Sequence, residues 1–310
     1  MTQSEKRAIL TDLWNDRDGT DGETGLVERW IRRYWPMTFD LETWVRMLRL
    51  TVKRRPLSRR RAILLSLVGG VLPPLYLLDA SLTRLDRLVF PAFTRRKVEK
   101  PVFMLGIPRS GTTFLHRLLC LDEERYAYFT MQEILCAPLS LRRVVSALGV
   151  VDRRFLGERM RKRFFAWNEE ALAAIDHMHK IRLDEADEDG WLLAHQFCTA
   201  YLFTLFPFMG EFPELAVMDA MPAEKKARLL DYYEEMLQRQ LYVSGGNRTI
   251  LSKNPTFTTF LRSLNERFPD ARFIYNVRAP HEAIPSLLSL FHTIWSAHSP
   301  EIPKNSPETR

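Results

Sequence analysis

Residues 102–119, VFMLGIPRSGTTFLHRLL, carry an apolar strand into a glycine-bounded turn and then into a helix. Such a turn leaves successive backbone N–H groups converging on one small concavity at a helix N-terminus, which is a physical recipe for holding a phosphate. Anion binding is the first function the chain implies. The spacing Gly106, four residues, Gly111, Thr112, Thr113 matches a nucleoside triphosphate P-loop, except that Thr112 stands where that loop needs its lysine. A kinase or ATPase would lose the charge that reaches the outer phosphates. Arg109 offers a fixed fork of donors instead, and Thr112 and Thr113 add hydroxyls beside the first helical turn. The plainer alternative is a turn that only joins a buried strand to a helix, but that role does not call for Gly, Pro, Arg, Ser, Gly and two Thr within eight residues.

Outside this stretch, composition bounds the answer. A chain of 310 residues, 46% hydrophobic and 27% charged, buries enough for one large domain with appendages. Its net charge of +7 favours anionic partners. Arginines crowd into residues 53–61, KRRPLSRRR, and 153–163, RRFLGERMRKR. These runs read as solvated faces or membrane-surface contacts; neither has the aromatic interleaving of a single-stranded nucleic-acid platform, and no nucleic-acid partner is expected. Cys120, Cys136 and Cys198 form no CxxC pair, which argues against a disulfide framework or a cysteine-rich metal site. His177 and His179 do not share a helical face and no HExxH occurs, so no metal is expected. Residues 1–22 are largely polar and carry no secretory signal, which makes the cytoplasm the default location.

Residues 27–52 have helical periodicity interrupted around Pro36, and 62–78, AILLSLVGGVLPPLYLL, are uncharged and apolar directly after a basic run. At about 1.5 Å per residue that segment reaches the lower edge of a membrane span, yet Gly69, Gly70, Pro73 and Pro74 fall in its middle and predict a break. Three readings stay open: a bent monotopic or re-entrant anchor on the inner membrane face, contact with the catalytic core, or a true span. The expected organisation is an N-terminal helical region over 1–60, this apolar segment within 61–90, and a catalytic domain over 101–310.

From Pro101 onward the pattern is α/β. Residues 102–105 read as a buried parallel strand followed by a helix over 113–121, and the runs at 249–252 and 272–277 repeat that logic. The stretch 168–239 reads as mostly helical, broken at Pro213 and Pro222. In residues 271–290, ARFIYNVRAPHEAIPSLLSL, the strand delivers Arg278 to the carboxyl edge of the sheet, Pro280 starts the next helix, and Ser286 lies one to two turns along it. Both residues could meet a second phosphate.

At this point the sequence resembles the nucleotide-dependent sulfotransferases, especially the bacterial-type branch with a PRSGTT loop. The resemblance runs from about Asp86 to Leu290 through GIPRSGTTFLHRLL, LDEADED at 183–189, LSKNPTFTTFLRSLNERFPDARFIYNVRAP and SLLSL. It implies an α/β fold with a P-loop-like three-layer core around a central parallel sheet, plus an N-terminal helical extension. It also implies 3′-phosphoadenosine 5′-phosphosulfate, PAPS, as sulfuryl donor, the bisphosphate PAP as product, and a hydroxyl or amine as acceptor. Pro108, Arg109, Ser110, Gly111, Thr112 and Thr113 match the 5′-phosphate loop, and Arg278 with Ser286 matches the pair that holds the 3′-phosphate. A sulfuryl donor has no triphosphate tail, so loss of the P-loop lysine is intelligible, and in-line transfer requires no metal.

The acceptor needs a base. Glu133 in FTMQEI corresponds to the acidic residue after the first helix in this branch, where Trp-Glu is common and Gln132-Glu133 stands here; its plainer role is capping or a salt bridge. His116 is the rival base. Lys253, at the end of the LSK strand, is placed to donate to the transferred group, or is simply solvated. In the LDEADED run, Glu185 or Glu188 could approach an acceptor, but a bracing or capping role is favoured because crowded acids repel in a dry site. The acceptor is expected to be a small molecule, amphipathic or lipid-like if the apolar segment touches membrane. The chain stops at Arg310 after SPEIPKNSPETR, whereas members of the family often continue. That keeps open a site completed by a partner chain, or an inactive nucleotide-binding or membrane-associated scaffold.

Overall fold

The computed structural model describes residues 39–53, 57–163, 166, 182–245 and 247–300. Its centre is a parallel sheet of β1 (Val102–Gly106), β2 (Tyr126–Ala127), β3 (Thr249–Lys253) and β4 (Arg272–Asn276), in the order β2-β3-β1-β4. β1 is wholly buried because both of its neighbours are strands and both of its faces are covered. That is why it reads as an unbroken apolar run, VFMLG, while β4 at the edge is half exposed. Phe103 of β1 stacks on Phe273 at 5.7 Å and meets Phe268 at 5.6 Å, tying the two strands into the main core.

Among the described residues, the α-helices of five residues or more are α1 (Leu41–Lys53), α2 (Arg59–Ser66), α3 (Leu72–Val89), α4 (Thr112–Leu119), α5 (Met131–Leu135), α6 (Leu139–Val151), α7 (Ala223–Val243), α8 (Leu261–Arg267) and α9 (Pro280–His298). Register places Gly106 opposite Asn276 and Met104 opposite Lys253, so β1, β3 and β4 end together at one carboxyl edge. From β1 the chain runs to β2 and then β3 on one side of it, and from β3 it crosses to β4 on the other. Such a switch point is where open α/β sheets hold their ligands.

One expectation is corrected. Gly69, Gly70, Pro73 and Pro74 do not break the apolar segment: a π-turn, Leu67–Val71, joins α2 to α3 and places both prolines in the first turn of α3, where their missing N–H groups cost little. Residues Arg59–Val89 thus form one helix of 31 residues whose most apolar 18-residue stretch has mean hydropathy 1.8, long and apolar enough to cross a membrane. The helical reading of 168–239 holds over its described part, but in short pieces: 3-10 turns at Asp189–Gln196, Ala200–Thr204, Met209–Glu211 and Met218–Ala220, with one α-helical turn at Pro213–Ala216, precede α7. Pro207, Pro213 and Pro222 keep those pieces short, and buried Phe197, Phe203, Phe206, Phe208 and Phe212 supply their apolar periodicity. His177 and His179 lie outside the described residues.

A buried ion pair fastens α3 to the core. Asp86 and Arg239 are both 0% exposed, with Arg239 Nε donating to Asp86 Oδ2 at 3.4 Å and its guanidinium 4.3 Å from the Phe93 ring centroid. Asp86 also accepts the Leu139 and Ser140 N–H groups at 2.6 and 2.8 Å, so one carboxylate caps α6 as well.

Candidate active site

The turn between β1 and α4 is held open by backbone geometry. Gly106 has φ 147°, and a Cβ there would lie 2.7 Å from the Asn276 carbonyl oxygen; Gly111 has φ 87° and caps α4 in the left-handed region. Arg109 shares that region with φ 73°, an uncommon conformation for a non-glycine residue. Thr258 Oγ1 accepts the Gly106 N–H at 3.1 Å, which fixes the strand exit. Thr112 is buried in the first turn of α4, and Thr113 is half-buried beside it.

At the β4 side, Arg278 Nη1 donates to the Arg109 carbonyl at 2.9 Å, and Arg109 Nε donates to Ser286 Oγ at 3.1 Å. The structure therefore brings Arg109, Arg278 and Ser286 into one exposed cluster, with Glu282 on Arg278 at 3.0 Å. Its chemistry suits a dianionic phosphate: two guanidinium forks, a hydroxyl, and the N-terminus of α4. Ser110 Oγ, buried in the loop without a hydrogen-bond partner, is a ready donor of the same kind, so the residues present fit a phosphate-bearing ligand.

At the β3 side the site is dry. Lys253 is 1% exposed, and its Nζ meets Glu188 Oε1 at 2.5 Å and donates to Thr113 Oγ1 at 2.9 Å. Tyr201 OH donates to Glu188 Oε2 and stacks on Trp191, ring centroids 4.5 Å apart. Asn254, fully buried, lies 3.4 Å from Tyr201 OH and caps the turn at Thr256, while its Nδ2 has no partner. The loop and β3 thus meet through Lys253 and Thr113.

His116 also packs here, 1% exposed and edge-on to Tyr128 at 6.4 Å. Burial, with the Lys253 charge second, pushes its imidazole down to about 3, so it is neutral near neutral pH. Behind β3, Asp189 is wholly buried and accepts from Tyr233 OH at 2.6 Å and from Ser252 Oγ at 3.1 Å. Burial raises its carboxyl to about 7.

Glu133 has a different setting. Its Oε2 accepts the Thr130 N–H at 2.9 Å in a capping box that starts α5, and Gln240 and Arg142 approach the same carboxylate at 3.3 and 3.6 Å. The residues that sequence reasoning undervalued are Glu188, Tyr201 and Asn254. The visible signal was the Lys253-Asn254 pair at a strand exit; the fold alone brings Glu188 to it. Among the described residues, no group of three His, Cys, Asp or Glu is placed to hold a metal ion.

Comparison with known proteins decides the family, because a model described as "Sulfotransferase family" matches residues 101–305. The chain belongs to the sulfotransferase family. Curated relatives from Mycobacterium bovis and Mycobacterium tuberculosis, both named omega-hydroxy-beta-dihydromenaquinone-9 sulfotransferase Stf3, are 29% identical over 210 residues, 66% of this chain. The aligned part is 48% of those proteins, so this chain matches about half their length. Two crystal structures share the fold: sulfotransferase STF1 from Mycobacterium tuberculosis, with TM-score 0.60 and 18% identity over 94% of this chain and 71% of that one, and STF9 from Mycobacterium avium, with TM-score 0.57 and 20% identity over 92% and 70%.

Proposed function

We propose that this protein transfers the sulfuryl group of PAPS to the hydroxyl of an amphipathic or lipid-like small molecule. The finer placement within the family is the bacterial-type branch, with a P-loop-like three-layer core and the PRSGTT loop at 108–113 as its phosphate cradle. Pro108 through Thr113 would hold the 5′-phosphate and Arg278 with Ser286 the 3′-phosphate. The donor supplies an activated sulfuryl group; the protein's part is alignment and charge. The observation that carries this reading is the Lys253 bridge, which ties the phosphate loop at Thr113 to a buried carboxylate at Glu188.

In that arrangement Lys253 and Arg109 stabilise negative charge on the departing nucleotide oxygen, and Glu188 takes the acceptor proton. The Lys253 ammonium and the Tyr201 hydroxyl both meet this carboxylate, which fixes it in direction. Glu133 is assigned a positioning role, since its carboxylate serves the α5 cap, Gln240 and Arg142. The neutral imidazole of His116 packs behind Lys253 and Glu188 rather than acting as base. An acceptor with a terminal hydroxyl on an apolar carrier is favoured, because the relatives' name describes an omega-hydroxylated menaquinone.

Calorimetric titration with PAP tests the donor site. Binding is expected, with Arg278→Ala weakening it about 10- to 100-fold and ATP with magnesium binding less tightly. Tighter binding of ATP than of PAP would overturn the assignment.

A further inference from the structure

We infer that the outward faces of α2, α3 and α6 form one docking surface for an anionic lipid bilayer, on which the protein lies without crossing. The inference rests on the fold and not on the sulfuryl-transfer reading. Helix α3 is amphipathic in the wrong sense for a soluble protein. Tyr76, Asp79, Thr83 and Asp86, at helical spacing, face the protein: Tyr76 packs on Phe39 at 4.9 Å, Asp79 lies 3.4 Å from His195 Nδ1, the Thr83 carbonyl accepts from Arg239, and Asp86 holds the Arg239 pair. The opposite face is leucine and valine in solvent. Ile63 is 61% exposed, and Leu67, Val71, Leu75, Leu78 and Leu85 continue the stripe.

The π-turn explains how one stripe survives 31 residues. Four-residue steps drift around an α-helix, and the wider turn at Leu67–Val71 offsets that drift so that Ile63 and Leu67 stay in line with Leu75 and Leu78. Helix α6 and the π-turn Asp152–Leu156 that follows it repeat the pattern with Val144, Leu148, Val151 and Phe155, the last 73% exposed. The two helices are fixed side by side through Asp86, which caps α6, and through Arg143 over the Phe90 ring at 5.1 Å. A contiguous apolar face on this scale marks an interaction site.

Charge names the occupant. Arg153, Arg154, Arg159, Lys162 and Arg163 are exposed where α6 ends, and Arg59 and Arg60 stand exposed where α2 begins. An apolar band bordered by cations complements acyl chains bordered by anionic headgroups. A second copy of the same face would bring cations against cations. A span is disfavoured because it would carry Asp79 and Asp86 away from His195 and Arg239 into hydrocarbon.

The test is co-sedimentation of the full chain with detergent-free vesicles of phosphatidylglycerol and phosphatidylcholine, beside vesicles of phosphatidylcholine alone. Binding is expected on the anionic vesicles, weaker on the neutral ones and weaker in high salt. Leu75→Gln/Leu78→Gln/Phe155→Gln should lower vesicle affinity by more than about tenfold, from apolar area that no longer leaves water. Arg153→Glu/Arg154→Glu should lower it on anionic vesicles only. Thermal melting of each variant checks folding, since every substituted side chain is exposed in the fold. Unchanged vesicle binding by the triple variant would overturn the proposal. So would a wild-type dimer that the triple variant makes monomeric, or retention in membranes after alkaline carbonate extraction, which would mean a protein interface or a span.

Discussion

At the loop end of the site Arg109 and Arg278 stand in solvent, while at the β3 end Lys253 is almost wholly enclosed with Glu188. The two ends solve different problems. Exposed arginines and backbone N–H groups suit an anion that is itself well hydrated, and each contact of that kind is modest because water screens it. A buried lysine and carboxylate have lost their water, so each depends on the other and on Thr113 and Tyr201. Binding energy can therefore be changed piecemeal at the first end. At the second, chemistry and folding are coupled.

The largest expected effect breaks the buried end. Lys253→Met should lower kcat about 10²- to 10³-fold while changing PAP affinity only a few-fold, because Lys253 acts on charge that develops during transfer. It should also destabilise the fold by about 3 kcal/mol, because the buried Glu188 carboxylate loses the Lys253 cation. Lys253→Met/Glu188→Gln separates the two losses: stability should return and activity should not. Recovery of activity with stability would reduce the pair to a structural strut.

The next comparison sets Glu188 against Glu133. Glu188→Gln should cost about 10²- to 10⁴-fold in kcat as the acceptor base is lost. Glu133→Gln keeps the shape of the α5 cap and should lose less than about tenfold, with a stability loss of about 1 kcal/mol. Pre-steady-state sulfation at saturating donor measures both. The reverse order would move the base to Glu133.

The cluster of Arg109, Arg278 and Ser286 was readable from sequence because its parts are local. Gly106, Arg109, Gly111 and the threonines lie within eight residues, and Arg278 and Ser286 are fixed by a strand and one helix. The strands β1, β3 and β4 were readable for the same reason, as short apolar runs with helical patterns after them. The enclosed half was not, since Glu188, Tyr201 and Asn254 meet only when a chain of 3-10 turns is packed beside β3. Repulsion among the acids of LDEADED argued for a bracing or capping role over one in a dry site. Burial instead divides them: Glu188 has Lys253, and Asp189 has Tyr233 and Ser252. The helix through Gly69–Pro74 was hidden because a π-turn leaves no mark in composition.

The smallest effect sharpens the contrast within that acidic run. Asp189, without a cation, is raised by burial to about 7, so the fold keeps a proton that the unfolded chain releases near 4. Between those values the folded state binds more protons, and the Asp189 contribution to stability declines as pH rises through the window. His116 acts in the opposite direction: the unfolded chain protonates it below about 6.5 and the fold resists until about 3, so its contribution declines as pH falls. Overlap of the two flattens the wild-type profile, and a difference measurement isolates one of them. Urea unfolding of Asp189→Asn beside wild type should show the variant gaining on wild type steadily from pH 4 to pH 7, then holding constant. A difference that is level across the whole range would mean that Asp189 is ionised in the fold, and that Tyr233 and Ser252 offset its burial as fully as Lys253 offsets that of Glu188.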